Sequence, residues 1–256
     1  MATQTQDIQT VEAEHLLQVY RRVPIVLTHG KGSYVYDIEG HAYLDFLSGI
    51  GVASLGHAHP GLATALAEQA RTLLHTSNLY FHPLQGQVGR RLTALSGLPR
   101  AFFCNSGTEA VEGCLKFARR YWHTRGETAR TRIVALERSF HGRTFGSLSV
   151  TWEPGYRAPF EPLLDGVAFV SPTDPDALDT AIGSDVAAII LEPIQGEGGI
   201  WPLSQEFADA VTAACGIGAL LGAVVGTVST CLTGPVNAII SSTGAKERHY
   251  TAGIAI

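Results

Sequence analysis

Apolar positions recur along this chain at two intervals, one helical and one of short continuous runs, and the two alternate. Leu62, Ala65, Leu66, Ala70 and Leu73 share one face of a predicted helix over Gly61–Leu74, and Gln85–Ser96 repeats that pattern less regularly. Both helices are expected to pack one face on a sheet. Ala101–Cys104 reads as a short buried strand, and a helix is predicted to open at Ser106 and run to about His123. Beyond it the spacing predicts strands over Arg132–Leu136, Ala168–Ser171 and Ala187–Leu191, with a helix over Pro175–Ile182. Gln205–Cys215 begins one more helix, with Phe207, Ala210, Val211 and Ala214 on one side, and there the regular alternation is expected to stop. Short apolar strands separated by helices predict an α/β fold, a mostly parallel sheet with helices on both faces.

The N-terminal part differs. Glu14–Arg22 is predicted to form a short helix ended by Pro24, whose ring cannot continue one. Tyr34–Asp37 and Ala42–Asp45, separated by Ile38-Glu39-Gly40-His41, form a predicted β-hairpin. A loop rich in Gly and His follows, from Gly49 to Pro60.

Charge changes this picture at one place. From Ala210 to Ala245 no residue is charged, and Lys246, Glu247 and Arg248 are the only charges after Asp209. The expected division is residues 1–60 as the N-terminal portion of a small α+β domain, 61–215 as a partial large domain, and 216–256 as an unrelated apolar, Gly-rich tail. A net charge of −5 with pI near 6.0 gives no basic footprint for nucleic acid, so a small-molecule partner is expected. The polar, acidic start lacks the pattern of a secretory signal, which points to the cytoplasm. Cys104, Cys114, Cys215 and Cys231 are spaced too widely for a metal knuckle and read as small buried hydrophobes.

Three loops concentrate the chemistry. Asn105-Ser106-Gly107-Thr108-Glu109-Ala110 lies where a strand gives way to a helix, so free N–H groups and the positive end of a helix dipole converge there. Gly107 permits close approach, Ser106 and Thr108 add hydroxyls, and a phosphate monoester is the natural guest; an ordinary helix cap is the other reading of the same residues. Ser139-Phe140-His141-Gly142-Arg143-Thr144 follows the next strand and brings an aromatic ring, an imidazole and a guanidinium to the sheet's carboxyl edge. Phe140 suits stacking on a planar cofactor and Arg143 a bidentate pair with a carboxylate, against a core aromatic and a surface arginine. Glu192-Pro193-Ile194-Gln195-Gly196-Glu197-Gly198-Gly199 follows a third strand and either shapes a pocket or makes a solvated turn.

In that order, and with Tyr34–Leu47, Leu55-Gly56-His57-Ala58-His59-Pro60 and Thr76-Ser77-Asn78-Leu79-Tyr80 as further landmarks, these motifs resemble the class III, fold type I pyridoxal-phosphate aminotransferases, most closely the acetylornithine branch. The resemblance covers about residues 12–214. It implies an incomplete fold type I, lacking its later strands, and transfer of an amino group from N2-acetylornithine to 2-oxoglutarate by a homodimer in arginine biosynthesis. It also implies that the cofactor phosphate falls on Gly107 and Thr108 beside Ser106, and that the pyridine ring lies against Phe140 in the loop that carries His141. Arg143 is implied to meet the substrate and Glu197 to lie near it.

Two features of that family are missing. Such an enzyme needs a lysine to hold its cofactor as a Schiff base, and neither Lys31, Lys116 nor Lys246 lies in a matching segment. The acid expected against the pyridine nitrogen is absent from Leu220-Leu221-Gly222-Ala223-Val224-Val225-Gly226. The catalytic set is therefore expected to be incomplete: a fragment, inactive alone, holding its cofactor without a covalent link and prone to aggregate along an uncovered sheet edge. Gly216–Ile240 is uncharged and long enough at ~1.5 Å per residue to cross a bilayer core, and the residues from Thr233 to Ile254 resemble a segment of a benzoate-symporter-like carrier. A non-catalytic remnant, or a chimera tethered to a membrane by its tail, is the alternative expectation.

Overall fold

A computed structural model describes residues 4–96, 98–217 and 221–222. The chain divides between Tyr80 and Phe81 into two compact units.

The first unit opens with helix α1 (Gln4–His15). The predicted helix over Glu14–Arg22 is thus displaced toward the N-terminus: the Gln18 amide donates to the carbonyls of Glu12 (3.1 Å) and Leu16 (2.8 Å), closing the helix well before Pro24. Strands β1 (Leu27–Lys31), β2 (Tyr34–Asp37) and β3 (Ala42–Leu44) form an antiparallel sheet in that order. The predicted hairpin is β2 and β3, and β1 pairs on its other side. Asp37 locks the hairpin by accepting from the His41 backbone (2.8 Å), the His41 ring (2.9 Å) and the Tyr43 hydroxyl (2.7 Å). A left-handed turn, α2 (Ser48–Gly51), precedes α3 (Pro60–Thr72), where His59 caps the head by accepting from the Leu62 amide at 3.2 Å.

The second unit begins with α4 (Pro83–Ser96). Neither α3 nor α4 buries a residue fully. The extended run Ala101–Cys104 is not a strand: it is apolar, but among the described residues no strand lies beside it to complete a ladder. Then come α5 (Gly107–Thr124), β4 (Arg132–Leu136), the short helices α6 (Phe145–Ser149) and α7 (Pro154–Arg157), β5 (Val167–Val170), α8 (Pro175–Ala181) and β6 (Val186–Ile190). A two-stranded ribbon, β7 (Ile194–Gln195) with β8 (Trp201–Pro202), is followed by α9 (Gln205–Ile217) and β9 (Leu221–Gly222).

The main sheet runs β5-β4-β6-β9, with every pairing parallel. Successive side chains of β4 point to opposite faces. Ile133 and Ala135 pack with Ala110, Val111, Cys114, Leu115, Ala118 and Trp122 of α5, while Val134 and Leu136 pack with Leu178 of α8 and Phe207 of α9. Both faces of the sheet are therefore covered, and Cys114 is the small buried hydrophobe its sequence context predicts. Leu221 and Gly222 pair with Ala188 and Ile189, so the alternation does not stop at Cys215 but adds one further strand. The tail beyond Gly222, the pairing of Cys231 and the setting of Lys246 lie outside the described residues. Among those described, no helix is long and apolar enough to cross a membrane.

One irregularity in the sheet has a specific partner. The β4–β6 register shifts between Arg132 and Ile133, skipping Ala187, whose carbonyl accepts from Trp122 Nε1 at 2.8 Å. Trp122→Phe leaves that buried carbonyl without its donor, and a loss of about 1–3 kcal/mol in urea unfolding is the expected result.

Candidate functional site

The head of α5 is built as a capping box. The Glu109 amide donates to Ser106 Oγ (3.2 Å), and the Glu109 carboxylate accepts from the Asn105 amide (2.8 Å), the Asn105 side chain (3.1 Å) and Ser106 Oγ (3.1 Å). Those bonds, the Asn105 side chain first, hold the Glu109 carboxyl below its usual range. The Ser106 hydroxyl is thereby engaged in the cap, as the plainer of the two sequence readings has it. The Gly107 and Thr108 amides remain at the first two helical positions, where no intrahelical carbonyl faces them.

The loop after β4 docks onto this helix head through hydroxyls. Thr108 Oγ1 lies 3.0 Å from Thr144 Oγ1 and 2.5 Å from Ser147 Oγ, and the Thr144 hydroxyl donates to Glu112 at 2.6 Å. The same Glu112 oxygen accepts from the Gly146 (2.8 Å) and Ser147 (3.3 Å) amides, fixing the start of α6. Gly142 makes the approach possible: its φ is +126°, and a Cβ there would collide with Thr108 Oγ1. His141 is fully buried, its amide donating to Thr151 Oγ1 at 2.9 Å, while neither ring nitrogen has a partner among the described residues. Burial pushes its pKa down to about 3, so the ring is neutral.

The loop after β6 is stapled to the same region. Glu192, 1% exposed, accepts from the Phe140 amide at 2.7 Å and from the Gly196 amide at 3.1 Å. Gln195, also buried, donates to the Glu137 carbonyl at 2.7 Å, and a Cβ on Gly198 would meet the Arg138 carbonyl at 2.6 Å. Glu192 and Gln195 are thus interior ties, and the solvated-turn alternative fails for both, whereas Glu197 is exposed. Burial raises the Glu192 pKa to about 7, and the nearby charge of Glu197 adds to the rise, against the lowering effect of the two amide bonds. An open cleft of about 280 Å³ lies between the loops, walled by Phe140, Trp152, Glu153, Tyr156 and Glu197 among others.

Of the residues singled out in the sequence, Phe140 and Glu197 line this cleft, and Arg143 lies over the Phe140 ring. Ser106, Gly107 and Thr108 form the helix head, which the β4 loop reaches through Thr144 and Ser147. Glu112, Ser147, Thr151 and Tyr156 went unnoticed in the sequence, and Thr144 was visible there only as the last residue of the loop motif after β4. For Glu112 a signal existed, since it stands four residues after Thr108 and so on the same helical face.

These features define an α/β protein that presents a helix head and two strand-end loops to a phosphate-bearing, planar ligand. Pyridoxal phosphate fits that description: the α5 amides suit its phosphate, Gly142 keeps the loop close beside Thr108, and Phe140 offers a ring face. Residues 17–221 match the class-III aminotransferase family, and the chain belongs to that family. It is 47% identical over 205 residues to an acetylornithine aminotransferase of Methanocaldococcus jannaschii, covering 80% of this chain and 52% of that protein. An acetylornithine aminotransferase of Methanothermobacter thermautotrophicus is 45% identical over 196 residues, covering 77% of this chain and 49% of its own. Among solved structures, the ornithine aminotransferase of Toxoplasma gondii superposes with a TM-score of 0.78 at 30% identity, over 86% of this chain and 53% of that one. An amine transaminase of an uncultivated Pseudomonas species, in its PLP-bound form, gives 0.71 at 29% identity over 77% and 50%. The chain thus spans about half the length of the curated relatives it matches.

Proposed function

We propose that this chain is the cofactor-gripping part of an aminotransferase that moves an amino group from N2-acetylornithine to 2-oxoglutarate, in arginine biosynthesis, as a cytoplasmic homodimer. The observation that carries the reading is the meeting of the α5 head with the β4 loop, where Thr108, Thr144, Ser147 and Glu112 form one network with Gly142 closed against it. The identity to acetylornithine aminotransferases supports the choice of donor.

Gly107 and Thr108 hold the phosphate of pyridoxal 5'-phosphate through backbone amides at a helix N-terminus that the Ser106 cap fixes. Phe140 stacks on the ring, and the buried, neutral His141 forms a fixed wall behind that loop. Arg143 pairs with the substrate carboxylate, and Glu197 stands at the substrate side of the cleft. Bound pyridoxal phosphate supplies the electron sink that amino transfer requires. Neither Lys31 in β1 nor Lys116 in α5 belongs to these loops, and Lys246 falls in the tail, in a segment that does not resemble the family's lysine motif. We therefore assign the 256 residues by themselves a binding role without turnover.

Equilibrium titration tests this reading. The chain is expected to bind pyridoxal phosphate at least roughly tenfold more tightly than pyridoxal, because the phosphate takes the charge-assisted bonds. Thr108→Val keeps the backbone amide and removes only the hydroxyl that ties the helix head to Thr144 and Ser147, so it is expected to lower that preference in part and not to abolish it. Borohydride treatment is expected to leave no mass increment on any lysine. Equal affinity for the two aldehydes would refute the phosphate site, and a labelled lysine would refute the binding-only role.

A further inference from the structure

The guanidinium of Arg143 is held by aromatic faces. Its central carbon lies 3.6 Å from the centre of the Tyr156 ring, a van der Waals contact over the ring face, and 5.8 Å from that of Phe140. A guanidinium stacked in this way keeps its in-plane N–H donors free, the geometry that a bidentate carboxylate needs. Among the described residues the ion pairs of arginine engage Arg22, Arg130 and Arg132, and none engages Arg143.

Tyr156 is itself fixed from two sides. It sits in α7, whose start is closed by Glu153: the Glu153 carboxylate accepts from the Gly155 amide at 3.0 Å and its carbonyl from the Tyr156 amide at 3.0 Å. The preceding Trp152 amide donates to the Ser139 carbonyl at 3.0 Å, so the segment bearing Tyr156 is anchored to the residue next to Phe140. The ring therefore has a defined place relative to the cleft, which it lines together with the carboxylates of Glu153 and Glu197. An arginine free to swing would be drawn into pairs with such carboxylates, and a stacked one is withheld from them.

We propose that Tyr156 is a positioning residue for substrate recognition: its ring holds Arg143 with a free donor fork, so that the fork receives the carboxylate of an N-acylated amino acid. The proposal rests on the reading of Arg143 as a substrate-binding group. Only the ring matters in it, so Tyr156→Phe should conserve the function and Tyr156→Leu should not.

Calorimetric titration of the full chain, with pyridoxal phosphate present and N2-acetylornithine as the probe, provides the test. Tyr156→Leu is expected to weaken N2-acetylornithine binding roughly threefold to thirtyfold, the range of a cation–π contact, with Tyr156→Phe within about twofold of wild type. Pyridoxal-phosphate affinity should be unchanged in both variants. The stack has its own signature, an upfield ring-current shift of the Arg143 side-chain resonances, present in the wild type and in Tyr156→Phe. Equal N2-acetylornithine affinity in wild type and Tyr156→Leu, a Phe variant as weak as the Leu one, or an unshifted Arg143 resonance overturns the role of Tyr156 while leaving the cofactor reading intact. A wild-type chain that binds pyridoxal phosphate but no N2-acetylornithine overturns both the role of Tyr156 and the choice of substrate. Should Tyr156→Leu fail to fold, the Arg143 resonance in wild type and Tyr156→Phe decides the question.

Discussion

Gly142→Ala is expected to cost roughly 3 kcal/mol of stability and to remove pyridoxal-phosphate binding at concentrations that saturate the wild type. Two independent penalties act at this one carbon. The backbone sits at φ +126°, which side chains of the L series rarely adopt, and the added Cβ would collide with Thr108 Oγ1 while lying 2.7 Å from Ser147 Oγ and 2.8 Å from Thr108 Cβ. Thr108 cannot simply rotate away, because its hydroxyl is shared with Thr144 and Ser147, and Thr144 is in turn bound to Glu112. The loop must lift off the α5 head, taking the network with it. Gly86→Ala serves as the control. That glycine lies in α4 with nothing within 4 Å of the place a methyl group would occupy, so the change should be neutral or gain up to about 1 kcal/mol. Urea unfolding and a pyridoxal-phosphate titration of both variants decide the matter, and a Gly142→Ala protein with wild-type midpoint and affinity would remove the structural basis of the site.

The parts of the fold legible in the sequence are those whose burial is local to one element. β4 and β6 announce themselves as short apolar runs because both their faces are covered, and α5 because one wide stripe packs on the sheet while Ser106 and Glu109 mark its start. Ala101–Cys104 carries the same apolar signal, but strand formation depends on a neighbour that composition does not reveal. β1 shows the converse: Leu27–Lys31 contains Thr28, His29 and Gly30, is largely exposed, and becomes a strand only because β2 offers an edge. The site divides along the same line. Helix heads and strand-end loops are sequence features, so Gly107, Thr108, Phe140 and Glu197 could be picked out. The grip of Glu112 on Thr144, the stack of Tyr156 on Arg143 and the burial of Glu192 join residues that are 13 to 52 positions apart, and no periodicity encodes them.

Glu192 is where such a long-range tie is expected to set the pH dependence of the whole unit. Its carboxyl is buried just beyond the end of β6 and bridges the amides of Phe140 and Gly196, so Glu192→Ala leaves one part-buried and one buried donor unpaired and opens a cavity. A loss of about 3–5 kcal/mol follows from those two effects together. The titration has a definite sign. The folded-state pKa is about 7 against an ordinary value of 4.5, so between those limits the folded chain binds a proton that the unfolded chain has released. Its stabilising contribution is therefore complete below pH 4.5 and falls as pH rises through 7, by about 3 kcal/mol in all. Glu192→Gln keeps the shape, surrenders one of the two acceptors, and cannot ionise. It should be less stable than wild type at pH 5, but its stability should fall less between pH 5 and pH 8, since every other titrating group is common to both proteins. Parallel urea-unfolding curves for the two proteins across that interval would show that the Glu192 carboxyl ionises as freely in the fold as outside it, contrary to its placement beneath the Phe140 loop.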